Sequence, residues 1–330
     1  MGIITNLMVN LDSLDRKILV ALDQDSRQSY SKLAKKLHVS QQVISYRVKK
    51  LVDSKVITSF ITTFSSIPLG LTVIKIYIQY TGMTKETENN IYDFLSNNKH
   101  VNWIAKTLGK YDLFTAVMVK DISSLGEFKT EFFQRFGKYI NSYNTSIIQK
   151  AYTYPRSYLS NHKLELIKPA LLHKEFRLNI DDRDKLLMKT LAMDSRISVW
   201  ELANKTNLNV KTVMSKIKSL KKAGIIQSFR INIDRNKIGL KYYKIFIKIR
   251  LYDPLEYDKL KKYCLARKDL VHLIECIGEY EMEMEMEIAD SQKIEEIIKD
   301  IRNNYSEIVA SIESCEITDE IKLKWLPLDF

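Results

Sequence analysis

Ser40, Gln41 and Gln42 are followed at helical spacing by Ser45, Tyr46, Arg47, Lys49 and Lys50. An amide side chain presents a donor beside an acceptor, the pair needed to bond both major-groove positions of adenine. A hydroxyl bonds either kind of base edge, and Lys or Arg holds phosphate. A second group, Asn209, Lys211, Thr212, Ser215, Lys216, Lys218 and Lys222, carries the same chemistry with more cations and no acid from 209 to 222. Both groups therefore predict contact with double-stranded DNA.

Other chemistry is thinner. His38, His100, His162, His173 and His272 are scattered, and no phosphate loop, HExxH metal motif or nucleophile elbow is present. The three cysteines, Cys264, Cys276 and Cys315, are odd in number and widely spaced, so they read as core residues in a reducing compartment. The run Glu281-Met282-Glu283-Met284-Glu285-Met286-Glu287 alternates with the period of a strand. Its methionines are expected on one sheet face and its carboxylates on the other, in an ion ladder with Lys244, Lys248 and Arg250. A basic effector or a metal is the lesser alternative.

The elements that position these groups occur twice. Asp15–Arg27 (DRKILVALDQDSR) matches Asp184–Arg196 (DKLLMKTLAMDSR) at an offset of 169 residues. The same offset carries Leu33-Ala34 to Leu202-Ala203, Gly70-Leu71 to Gly239-Leu240, and Gly109 to Gly278 without a gap. A tandem duplication follows.

Each copy opens with three short helical patterns. In the first, Leu11–Leu22 is followed by a helix capped by Ser29 and, after a His38-Val39 turn, by a third capped by Ser40. Val43, Ile44, Val48 and Leu51 are assigned to the inner face of that third helix. Two helices joined so tightly form a helix-turn-helix, whose second helix enters the major groove. Val56-Ile57 and Ser59–Ile67 read as two short strands of a wing. Each copy closes with the order βαββαβ, a ferredoxin-like sheet with helices on one face. Its bare face expects a second sheet, which the other copy supplies.

The fold class is thus α+β, with two winged helix-turn-helix domains alternating with two ferredoxin-like domains as a pseudo-dimer. The boundaries are 1–67 and 178–236 for the winged helix-turn-helix domains, 68–155 and 237–330 for the ferredoxin-like domains, and 156–177 for a linker. The linker contains Pro169 and a helical pattern near 163–167.

Charge follows this division. The chain has 330 residues and 52 Lys plus Arg against 40 Asp plus Glu. Segments 1–65 and 178–235 carry net charges of +5 and +6, whereas 236–330 carries −5. A basic excess concentrated in the helix-turn-helix segments suits a polyanionic partner. No stretch approaches the roughly 20 apolar residues of a membrane span, and Met1–Asn10 lacks a signal pattern, so a cytoplasmic protein is expected.

LDSLDRKIL, DSRQSYSKLA, VSQQVISYRVKKL, VITSF and GKYD resemble the leucine-responsive and asparagine-synthesis regulator family, Lrp/AsnC. In the second copy the resemblance lies in DDRDKLL, DSRISVWELA, GIIQSF and GEYE. It implies a winged helix followed by a ferredoxin-like (RAM-type) domain that dimerises and senses an amino acid or related small molecule. The family's effector region would map to Gly109, Tyr111 and Asp112, and to Gly278, Tyr280 and Glu281. Most members carry one copy, so this chain resembles a pre-fused dimer, with further homo-oligomerisation left open. Ser54-Lys55 and Asn209-Val210-Lys211 depart from the usual helix end and helix start, and the two recognition helices differ at most exposed positions. An asymmetric target with two unlike half-sites is expected.

The function expected is a sequence-specific transcription regulator without cofactor or metal. A nucleoid-architectural protein is one alternative. A decarboxylase-type enzyme on the same architecture is the other, and enzymatic activity is not expected.

Overall fold

The computed structural model describes residues 8–160 and 180–326, so the 163–167 pattern, Pro169, His162 and His173 lie outside the described residues. The chain divides into two compact units, each assembled from both copies. One comprises the segments up to Ser65 and from Thr153 to Lys241. The other comprises Ser66–Tyr152 and the segment from Tyr242 onward.

In the first unit, α1 (Ser13–Gln24), α2 (Tyr30–Leu37) and α3 (Gln41–Asp53) form the first helix-turn-helix. Asp12 caps α1 and accepts from the Asp15 amide while the Asp15 carboxylate accepts from the Asp12 amide, a closed capping box. Ser29 and Ser40 cap α2 and α3, and His38 takes the left-handed conformation (φ 57°) that ends α2. After β1 (Ile57–Phe64), strands β2 (Thr72–Tyr80), β3 (Val101–Gly109), β4 (Leu113–Val119) and β5 (Ile140–Thr153) alternate with α4 (Lys85–Asn97) and α5 (Ile122–Phe136). The second copy repeats the plan. It has α6 (Asp182–Met193), α7 (Val199–Thr206), α8 (Val210–Lys222) and β6 (Ile226–Ile233). There follow β7 (Lys241–Ile249), α9 (Pro254–Leu265), β8 (Leu270–Gly278), β9 (Met282–Ile288), α10 (Gln292–Asn304) and β10 (Val309–Leu323).

The wing expected as two strands within one copy is instead the single strand β1, and its partner is β6 of the other copy. The two run antiparallel with Ile57 opposite Ile233 and Ile61 opposite Arg230. Ile18, Leu19, Leu22, Leu33, Ile44 and Leu51 pack into one core with Ile231, Ile233 and Leu159. Val43, assigned to the inner face, is 38% exposed, because Ile44 and Val48 already fill the stripe facing α1 and α2. Near the local two-fold relation the Ser26 and Ser195 hydroxyls bond each other at 2.6 Å. Arg27 donates to the carbonyls of Ser195 and Ile197, and Arg196 reciprocates on those of Ser26 and Gln28.

In the second unit the two ferredoxin-like sheets join edge to edge as one closed barrel, in the order β10-β3-β4-β2-β5-β8-β9-β7. The bare faces thus line an interior rather than stacking as separate sheets, and the helices pack outside. A closed barrel leaves no unpaired edge, and eight strands enclose a space that side chains can fill. Strand β10 is longer than the pattern ending at Thr318 because its last residues pair with the other copy, Asp319 with Lys106 and Leu323 with Trp103. Gly278 sits at φ +140° against β5; a Cβ there would meet the Thr145 carbonyl and come within 2.9 Å of Ser146 Cα. Glycine is required where two backbones approach so closely.

Candidate nucleic-acid interface

The sequence signals place both recognition helices on the surface. Ser40, Gln41, Gln42, Ser45, Tyr46, Lys49 and Lys50 are exposed on or beside α3, and Asn209, Lys211, Ser215, Lys218 and Lys222 on or beside α8; Thr212 is half-buried. Neither helix has an acidic residue in its first turn, and α8 contains none at all. Anions approaching the helix N-termini are therefore not repelled.

Arg47 and Lys216 behave differently from their neighbours. Arg47 Nη1 lies 2.6 Å from Asp12 and 3.2 Å from Asp15, and Lys216 Nζ lies 3.1 Å from Asp181 and 2.9 Å from Asp184. Each cation clamps the recognition helix to the capping box of the first helix in its own copy. Burial lowers the Lys216 pKa, but the bonds to Asp184 and Asp181 outweigh it and the net shift is upward. Both cations are thus engaged within the fold, whereas Lys49, Lys50, Lys211, Lys218 and Lys222 remain exposed.

The six effector-region residues lie on the barrel. Tyr111 and Tyr280 are fully buried, and their hydroxyls bond each other at 2.7 Å. Asp112 accepts from the Tyr80 amide at 2.7 Å and Glu281 from the Ile249 amide at 2.6 Å. The two carboxylates thus staple their turns to a neighbouring strand. Gly109, at φ +137°, lies against the Ser314–Cys315 backbone. Around the tyrosines, Lys110 Nζ reaches Glu313 at 2.7 Å and the Tyr280 hydroxyl at 3.1 Å, and Tyr280 donates to Glu313 at 2.8 Å. A cavity of about 390 Å³ beside Glu313 is lined by Arg302, Ser306, Ser311 and Ile312.

The expected ladder on β9 is corrected in its partners. Glu283 and Glu285 face the barrel interior, where Lys244 reaches them at 2.8 and 2.6 Å and Lys75 of the first copy at 2.6 and 3.7 Å. Tyr77 donates to Glu283 as well. Lys248 pairs instead with Glu279, and Arg250 donates to the carbonyls of Ser306 and Glu307. Burial alone would raise the pKa of Glu283; the two ammonium groups outweigh it and hold it down to about 2. Among the described residues no cluster of His, Cys, Asp and Glu suits a metal ion. All three cysteines are buried and unbridged.

Sequence reasoning missed Lys75, although a lysine inside the apolar run Val73–Ile78, matched by Lys244 at the repeat offset, was its signal. It also missed Asp23, whose buried carboxylate receives Arg230 at 2.6 and 3.1 Å and Arg156 at 2.7 Å.

Comparison with known proteins adds to this geometry. Residues 11–52 match the AsnC-type helix-turn-helix domain, and residues 180–227 match a winged helix-turn-helix DNA-binding model. The HTH-type transcriptional regulator Ptr1 of Methanocaldococcus jannaschii is 32% identical over 123 residues, which is 37% of this chain and 80% of that protein. The chain belongs to the Lrp/AsnC family. A further relative, an uncharacterized HTH-type transcriptional regulator of Pyrococcus furiosus, is 30% identical over 42% of this chain and 91% of its own length. Each relative spans less than half of this Lrp/AsnC chain, as a duplicated member requires.

At the level of fold, a crystal structure of the siroheme decarboxylase NirDL, in complex with an iron-uroporphyrin III analogue, covers 96% of this chain and 94% of its own. Its TM-score is 0.63 at 13% identity. The expectation that the chain is not an enzyme is corrected by this match. The doubled Lrp/AsnC architecture is one on which an enzyme is built, so the fold gives no ground for setting catalysis aside. Among the described residues no helix is long and apolar enough to cross a membrane.

Proposed function

We propose that the protein is a DNA-binding transcription regulator whose two unlike recognition helices, α3 and α8, read the two halves of an asymmetric duplex site. The observation that carries this reading is the pair of capped, acid-poor helices with exposed amide, hydroxyl and ammonium groups, one in each helix-turn-helix of an Lrp/AsnC chain. Ser40, Gln41, Gln42, Ser45 and Tyr46 on one side, and Asn209, Lys211, Thr212 and Ser215 on the other, are the proposed base-reading groups. Lys49, Lys50, Lys218 and Lys222 are the proposed phosphate contacts.

Selection from random duplexes followed by salt titration tests it. A motif with two different halves is expected, and Lys49→Ala or Lys218→Ala should each lower the salt slope by about one. A symmetric palindrome would remove the unlike-half reading. Specificity below about a thousandfold over random DNA would favour an architectural role. Failure to bind any duplex at low salt would move the reading to catalysis on this architecture.

We further propose that an amino-acid-like effector acts at the second unit, beside the 109–112 and 278–281 turns. The cavity near Glu313 and Arg302 supports this, since it offers a carboxylate and a guanidinium to a zwitterion. Millimolar amino acids should then shift DNA affinity in the same assay; an unchanged affinity across all twenty removes the effector.

A further inference from the structure

The repeat register allows the two recognition faces to be compared position by position. On α8, Val210 and Met214 are 41% and 59% exposed and stand four residues apart, hence on one face. Their counterparts in the first copy are Gln41 and Ser45, which are also exposed. The same exchange recurs nearby, with Leu186, Met193 and Trp200 exposed where the first copy has Lys17, Gln24 and Ser31. Single exposed apolar residues are ordinary, but a polar-to-apolar exchange at the start of a recognition helix changes what that helix can bond. In the other direction Val43 and Tyr46 stand where α8 has Thr212 and Ser215, so the two helices carry their apolar contacts at different steps.

Beside the Val210–Met214 pair runs a stripe of Lys211, Ser215, Lys218 and Lys222, all exposed. A protein surface matching this face would have to be apolar and acidic at once. A duplex supplies both: phosphates along the groove walls, and in its floor the C5 methyl of thymine, the one apolar group a base pair presents in the major groove.

We propose that α8 reads its half-site through thymine methyl groups, with Met214 and Val210 as the specificity-determining side chains, where α3 uses the amide of Gln41 and the hydroxyl of Ser45. This rests on the DNA-binding reading above and names what that second helix selects.

The test replaces each thymine of a selected duplex, one at a time, by deoxyuracil, which removes only the methyl group. Half-sites are assigned beforehand by the positions that Gln42→Ala relaxes. With the unaltered protein, removal of a contacted methyl in the α8 half-site should weaken binding about fourfold, the equivalent of one buried carbon. Met214→Ser, which installs the first copy's residue at an exposed site, should bind more weakly and lose the response to uracil there. A thermal melt checks that the variant remains folded. Uracil tolerated at every α8 thymine, with salt-sensitive duplex binding intact, overturns this inference and leaves the DNA-binding reading standing. A uracil response that survives Met214→Ser unchanged at every α8 thymine also overturns it. Failure to bind any duplex at low salt overturns both.

Discussion

Replacing Lys244 with methionine is expected to destabilise the protein by about 3–5 kcal/mol, because it strands a carboxylate inside the barrel. Lys244, Glu283 and Glu285 are buried, and with Lys75 they form a set of two cations and two anions. Removing one cation leaves a net negative charge where water cannot reach. The loss corresponds to a fall of about 10 °C in melting temperature for a unit of this size. Lys244→Met combined with Glu285→Met restores neutrality and should recover most of it, since a balanced apolar replacement is tolerated far better than a broken pair. Chemical denaturation of the three proteins decides the matter. A single variant within about 1 kcal/mol of the parent would mean that the cluster is hydrated.

The same cluster sets a pH window. Glu283 is held down to about 2 from an ordinary value near 4.5, so its contribution is complete above 4.5 and is lost as the pH falls toward 2. Burial lowers the Lys244 pKa, but Glu283 and Glu285 outweigh it and the net shift is upward from 10.5. Its contribution is complete below 10.5 and lost as the pH rises past the folded value. Stability from this source is flat between those limits.

Asp23→Ala should cost a similar 3–5 kcal/mol in the helix-turn-helix unit, since it leaves the Arg230 guanidinium buried beside no anion. Burial raises the Asp23 pKa, but Arg230 and Arg156 outweigh it and the net shift is downward, so the carboxylate is charged in the folded protein. The repeat supplies its own control. At the equivalent positions the other copy has Ala192 and Ile61, so Asp23→Ala with Arg230→Ile reproduces a pairing the fold already contains. The double variant should regain most of the stability, with Arg156 still donating to the Ile231 carbonyl. Equal loss in the single and double variants, measured by urea unfolding, would assign the effect to packing around Asp23 instead of to its charge.

The helices, two of their caps and the βαββαβ order of each copy were legible in the sequence because each rests on local spacing: Ser29 and Ser40 cap the elements their positions predict, whereas Asn209, placed at the start of α8, proved to be its cap. The strand pairings that escaped depend on residues more than a hundred positions away. Nothing local in Ile57–Phe64 says that its partner is Ile226–Ile233, or that β10 extends to Leu323 because β3 lies alongside. The exposed lysines of the candidate interface were legible from helical periodicity. The capture of Arg47 and Lys216 by the capping boxes was not, since it depends on how α1 and α6 cross their recognition helices. Apolar type alone also misplaced Val43, which the stripe of α3 leaves outside.

The barrel interior bears on which chains this one can associate with. Both copies contribute a lysine, Lys75 and Lys244, but only the second supplies Glu283 and Glu285; the first has Phe114 and Ala116 there. Two first copies closing a barrel together would bury two ammonium groups with no counterion, and two second copies would bury two surplus carboxylates. Only the mixed assembly sets the two lysines against equal numbers of carboxylates from positions 283 and 285. The duplication has thus passed from redundancy to mutual dependence.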